Sequence, residues 1–319
     1  MSKAPYGRFL GYAVNNRESV ILEMKALNFT DGFVKVLGHR LYYKSIGEPN
    51  RGTVLCLHGG PGDNHWEDIH MADIAPFGYK VVWYDQFGCG KSDKPKSYSG
   101  YTIERAADEA GEIRRKLRLG KCHLWGYSYG GALALQTILA HPRGFRSLVV
   151  SSGFASSDQI YHESIRCLNR LPAEVRNTIV ECEAQRKLKD RRYVRAVKLF
   201  TERYVTDLRV PPYCVAIMRS LRNPRIGKVM AGDTDTITAP VTGTMASWDV
   251  RDELPSIRVP TLVTVGARDI VTPRCAETIH SGIRGSKLVI FKKSGHDAIY
   301  KERDLYIKTV LRFLDSVPR

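Results

Sequence analysis

Strand-sized apolar runs alternate with helical ones from residue 53 to residue 151, stop, and resume at residue 261. This rhythm constrains the chain more than any other feature, because parallel strands need long crossovers and the crossover is usually a helix. Residues 53–57, 80–84, 121–125, 146–151, 261–266 and 287–291 read as strands, and 102–119, 132–140, 273–283 and 302–316 as helices, with Thr102 as a plausible cap. Residues 33–37 and 40–46, separated by Gly38-His39, read as an opening antiparallel hairpin. From 155 to 240 the sequence is helix-like and Arg-rich, broken by Leu171-Pro172 and Pro211-Pro212. The expectation is an α/β fold with a mostly parallel central sheet. It divides into an N-terminal arm (1–30), a first core part (31–154), an inserted helical cap (155–240) and a second core part (241–319).

Composition excludes several classes. Of 319 residues 43% are hydrophobic and 26% charged, so a packed core is within reach and global disorder is not expected. No apolar run approaches the roughly 18 residues of a spanning helix, which argues against a membrane protein. The net charge of +16 raises the question of nucleic acid. Only +6 of it falls on 155–240, the rest is dispersed, and no nucleic-acid-binding signature accompanies it. The densest runs, at 114–118 and 186–192, are interleaved with Leu, Tyr and Val and read as solvated helix faces. The seven cysteines are widely and irregularly spaced with no CxxC pair, so neither a disulfide framework nor a zinc site is expected. With free thiols and no secretion signal, the expected compartment is the cytoplasm.

The chemistry concentrates at the ends of the expected strands. Gly126-Tyr127-Ser128-Tyr129-Gly130 is a GxSxG placed between a strand and a helix, the context in which that pattern presents a nucleophile. A serine needs a base, and the base needs an orienting acid. Asp269 follows the 261–266 strand and His296 follows the 287–291 strand, which places both at the sheet edge that carries Ser128. Asp297 is an alternative acid, but it adjoins the histidine in sequence and is badly placed to reach its ring. His58-Gly59-Gly60-Pro61-Gly62, directly after the 53–57 strand, suits an oxyanion loop, with the amides of Gly60 and Tyr129 as donors and His58 as a structural residue. Asp63, His65, Asp68 and His70 match no zinc spacing, so no metal and no cofactor are expected.

HGGPG at 58–62, Tyr84-Asp85-Gln86-Phe87-Gly88-Cys89-Gly90-Lys91-Ser92, GYSYGGALAL at 126–135 and the Asp269 and His296 loops together resemble the prolyl iminopeptidase family of α/β hydrolases, including its archaeal tricorn-interacting aminopeptidases. The resemblance runs from about Gly32 to the carboxyl terminus. It implies an α/β-hydrolase fold and removal of N-terminal residues from short peptides through an acyl-enzyme. It also implies acidic side chains for the substrate's free ammonium, one at the end of the cap and one after the triad aspartate. Those positions hold Asp235, with Asp233 nearby, and Ile270: one carboxylate is shortened and the other is missing. Gly59 joins Asp235 and Ile270 as an expected substrate-binding position. The apolar Ile270 leaves open a carboxylesterase or lactonase acting on neutral substrates. A silent binding protein on the same fold is disfavoured by the intact set of Ser, Asp, His and oxyanion loop. Asp at position 128 would have suggested a dehalogenase or epoxide hydrolase. The sequence leaves the oligomeric state open.

Overall fold

The computed structural model describes residues 28–206 and 212–318. Most of the N-terminal arm therefore lies outside the described residues, as does the first proline of Pro211-Pro212. An eight-stranded sheet runs in the order β1-β2-β4-β3-β5-β6-β7-β8. The strands are β1 (Thr30–Val36), β2 (His39–Ile46), β3 (Gly52–Leu57), β4 (Tyr79–Tyr84), β5 (Cys122–Tyr127), β6 (Phe145–Ser151), β7 (Thr261–Gly266) and β8 (Lys287–Phe291). β1 pairs antiparallel with β2, and β2 with β4; every other pairing is parallel.

Helices cover both faces, as the burial of parallel strands on two sides requires. Strand alternation assigns side chains to each face: in β5, Cys122 and Leu124 join one apolar cluster, whereas Trp125 and Tyr127 join the other. The first cluster takes in α1 (Ile103–Lys116), α2 (Tyr129–Ala140) and α8 (Pro273–Gly282). The second takes in a 3-10 segment at Ile69–Phe77 and the final helix α10 (Arg303–Ser316), which follows the short α9 (Ala298–Lys301). Thr102 caps α1 through its Oγ1, which accepts from the Arg105 amide at 3.2 Å. The helix after Ser128 begins three residues earlier than its apolar run suggests, because the turn at Ser128 passes directly into α2.

Between β6 and β7 the described residues form α3 (Ser157–Asn169), α4 (Ala173–Ala184), α5 (Arg191–Tyr204), α6 (Pro212–Leu221) and α7 (Pro224–Ala231), with a 3-10 turn at Arg251–Ser256 on the way back to the sheet. This helical cap has its own apolar cluster of Cys167, Leu168, Ile179, Cys182, Phe200 and Tyr204, against which Ile270 of the core packs. The basic run at 186–192 departs from the expected helix face. Arg186 has φ of 53° and the chain turns there, while Asp190 caps α5 by accepting from the Arg192 amide at 2.8 Å. No helix among the described residues is long and apolar enough to cross a membrane.

Candidate active site

Ser128 joins β5 to α2 with φ 56° and ψ −123°, a conformation that costs a non-glycine residue on the order of 1–3 kcal/mol. The flanking glycines make it possible: a Cβ on Gly126 would overlap the Gly130 carbonyl, and one on Gly130 would overlap the Leu57 carbonyl. The Ser128 carbonyl accepts from the amides of Gly131 at 2.9 Å and Ala132 at 3.3 Å, so the turn is locked to the helix it starts. The serine side chain is thereby held at the carboxyl edge of the sheet.

Two further loops bring their side chains to it. His296 Nε2 lies 2.9 Å from Ser128 Oγ, and His296 Nδ1 lies 2.7 Å from Asp269 Oδ1. The same Asp269 oxygen accepts from the Val271 amide at 2.7 Å. The β7 and β8 loops are tied together by Ala267 N to Phe291 O at 2.9 Å and Arg268 N to Ser294 O at 3.1 Å. Asp297 turns away and accepts from Thr206 Oγ1 at 2.9 Å, so Asp269 is the acid at the imidazole. Burial opposes a charged imidazole at His296, but the charge and hydrogen bond of Asp269, with help from Asp297, outweigh it and raise the His296 pKa above the usual value.

The glycine loop lies on the other side of Ser128. His58 Nδ1 is 2.9 Å from the Gly59 carbonyl, and its Nε2 accepts from the Gln86 amide at 3.2 Å. Both ring nitrogens are thus occupied in holding the loop. The Gly59 amide donates to Glu67 Oε2 at 2.7 Å, which leaves Gly60 as the next amide of the loop. Gly60 has φ of 108°, and Tyr129 is the first residue of α2, where helix N–H groups have no partner within the helix. Asp85, in the conspicuous 84–92 stretch, gathers the amides of His65 at 3.0 Å and Lys91 at 2.8 Å and the His65 ring at 2.8 Å. Its pKa is lowered to about 2: burial alone would raise it, and the His65 and His58 rings with these hydrogen bonds more than reverse that.

The expected substrate-binding residues are less convergent. Asp235 is exposed, with Oδ2 2.7 Å from Lys228 Nζ, and Asp233 pairs with Arg186. Ile270 packs on the cap's apolar cluster, and its amide donates to the Tyr204 carbonyl at 3.1 Å. That carbonyl also accepts from His296 N at 3.1 Å, so the end of α5 holds both loops that carry the acid and the base. A second cap contact reaches the glycine loop: Arg222 pairs with Asp63 at 3.0 Å, and the Asn223 amide donates to the Gly62 carbonyl at 2.8 Å. Sequence patterns give no sign of the Tyr204 contacts, because a backbone carbonyl has no residue signature. Nor do they single out Glu67, a lone glutamate five residues past the glycine loop. Among the described residues no group of three His, Cys, Asp or Glu side chains forms a metal cluster.

Comparison with known proteins follows the same lines. Residues 52–302 match the family model described as alpha/beta hydrolase fold. A proline iminopeptidase of Saccharolobus solfataricus is 37% identical over 92% of this chain and 94% of its own length. One from Thermoplasma volcanium is 34% identical over 90% of this chain and 97% of its own. The crystal structure of the proline iminopeptidase of Mycobacterium smegmatis superposes with a TM-score of 0.82 at 26% identity, covering 90% of this chain and 98% of that one.

Proposed function

The chain belongs to the α/β hydrolases and, among them, to the proline iminopeptidase family, and from that premise we propose that it is a serine aminopeptidase whose nucleophile is Ser128. The observation that carries this reading is the continuous relay from Ser128 Oγ through His296 to Asp269, with separations of 2.9 and 2.7 Å. In this mechanism His296 Nε2 takes the serine proton as Oγ attacks the carbonyl carbon of the first peptide bond. The amides of Gly60 and Tyr129 receive the oxyanion, and the N-terminus of α2 adds a favourable dipole. The imidazolium then protonates the departing amine, leaving the N-terminal residue esterified to Ser128. Water, deprotonated by the same imidazole, releases it. Asp269 keeps the proton on Nδ1 and stabilises the imidazolium.

The substrates are short peptides or amino-acid amides with a free N-terminus. Ile270, apolar where a carboxylate would be expected, gives the ester or lactone reading its one specific support. A single panel separates the two: aminoacyl arylamides, their N-acetylated forms and short acyl nitrophenyl esters. The aminopeptidase reading expects kcat/KM at least tenfold higher for the free amines than for the N-acetyl forms. Equal rates, or turnover of the esters alone, would replace it with the esterase.

A further inference from the structure

An exopeptidase that prefers free amines must place a negative charge near the nucleophile. The α-nitrogen of a bound aminoacyl group is about 2.5 Å from the attacked carbon, and a charge-assisted hydrogen bond adds about 2.8 Å. The partner oxygen therefore lies within roughly 5 Å of the carbon that Ser128 attacks. Asp235 is held by Lys228 on the exposed surface of the cap, and Ile270 carries no charge.

A different carboxylate stands beside the nucleophile. Glu67 Oε2 and Ser128 Cβ lie 2.8 and 3.1 Å from one and the same point, the position a methyl group on Gly59 would take. Oε2 is fixed by the Gly59 amide at 2.7 Å. Among the described residues Oε1 has no hydrogen-bond partner, and the residue is only partly buried, so one acceptor remains open. The surrounding charge is unbalanced. Asp63 and Asp68 lie on the same segment, Tyr127 ends β5 behind it, and Arg222 at the corner of α6 and α7 is the cation acting on Glu67, already paired with Asp63 at 3.0 Å.

We propose that Glu67 is the acidic partner of the substrate's free α-ammonium group. This assignment rests on the aminopeptidase reading and adds to it a specificity residue from the core instead of the cap. Burial first, then the neighbouring Asp63 and Asp68, push the Glu67 carboxyl well above the usual range, against the weaker opposing effects of the Gly59 amide and Arg222.

The test is Glu67→Gln, which keeps an acceptor for the Gly59 amide and removes only the charge. KM for a free-amine aminoacyl arylamide is expected to rise at least tenfold while kcat changes less than threefold, and the preference over the N-acetyl form collapses by the same factor. The rise of wild-type KM towards acid pH, as Glu67 protonates, is expected to disappear. Glu67→Asp, which retains charge but withdraws it by one methylene, guards against a folding defect and is expected to move KM the same way by less. Both variants are measured per active site titrated, so misfolded protein does not enter the rates. Retention of the wild-type preference in Glu67→Gln would overturn the assignment and leave the aminopeptidase reading standing. A wild-type enzyme indifferent to the free amine would overturn both.

Discussion

The two sides of Ser128 are built differently. On one side, Asp269 and His296 stand on neighbouring strand ends, joined by hydrogen bonds to each other and to the backbone that carries them. On the other, the groups expected to read the substrate are dispersed: Asp235 is on the cap surface with Lys228, Ile270 is absorbed into cap packing, and Glu67 lies beneath the glycine loop. The first arrangement is held in place by the β7–β8 ladder and by a common clamp on the two loops, the Tyr204 carbonyl. The second depends on which side chains happen to reach a shared space. On the proposed mechanism a substitution on the first side is expected to change kcat and one on the second KM.

The largest effect short of removing the nucleophile is expected from Asp269→Asn. It leaves the geometry in place but favours the wrong tautomer of His296, a change that elsewhere costs about 10⁴ in kcat. It also makes a signed prediction about pH. As the proposed general base His296 must be neutral, and against the opposing effect of burial the charge and hydrogen bond of Asp269 raise its pKa above the usual value. The acid limb of wild-type kcat, which the KM effect of Glu67 does not enter, is therefore expected above the ordinary histidine value of about 6.5. Removing the Asp269 charge moves that limb to lower pH. A limb that stays in place would show that another group titrates.

The smallest effect belongs to the cap. Asp235→Asn breaks an exposed pair with Lys228, the type of pair typically worth about 0–1 kcal/mol. With Glu67 intact, KM for free-amine substrates is expected to change less than threefold and kcat not at all. A tenfold rise in KM from Asp235→Asn would return ammonium recognition to the cap and erase the contrast between the two sides.

The meeting of Ser128, His296 and Asp269 is legible in the sequence because each of these side chains stands at a strand end. Ser128, Asp269 and His296 each follow an apolar run of strand length, and β-strand period and glycine spacing sufficed to align them. The opening hairpin, the parallel strands and the Thr102 cap were readable for the same reason. The cap was readable only as a helical interval. Its turns depend on local devices such as the left-handed Arg186 and the Asp190 cap, which break a basic run that looks continuous. The clamp at Tyr204 is a backbone contact between residues far apart in the chain, and no residue type announces it. Glu67 was hidden by ordinariness: a lone glutamate after a loop acquires meaning only when the fold places Ser128 beside it.

The central claim, that Ser128 becomes acylated, is open to one direct measurement. After quenching a reaction with an aminoacyl nitrophenyl ester in acid, intact-mass and peptide mass spectrometry read where the acyl group resides. The account predicts one aminoacyl adduct per chain, on the peptide that contains Ser128, and none in Ser128→Ala, which remains folded and inactive. Turnover that survives in Ser128→Ala, or an adduct on any other residue, would contradict it.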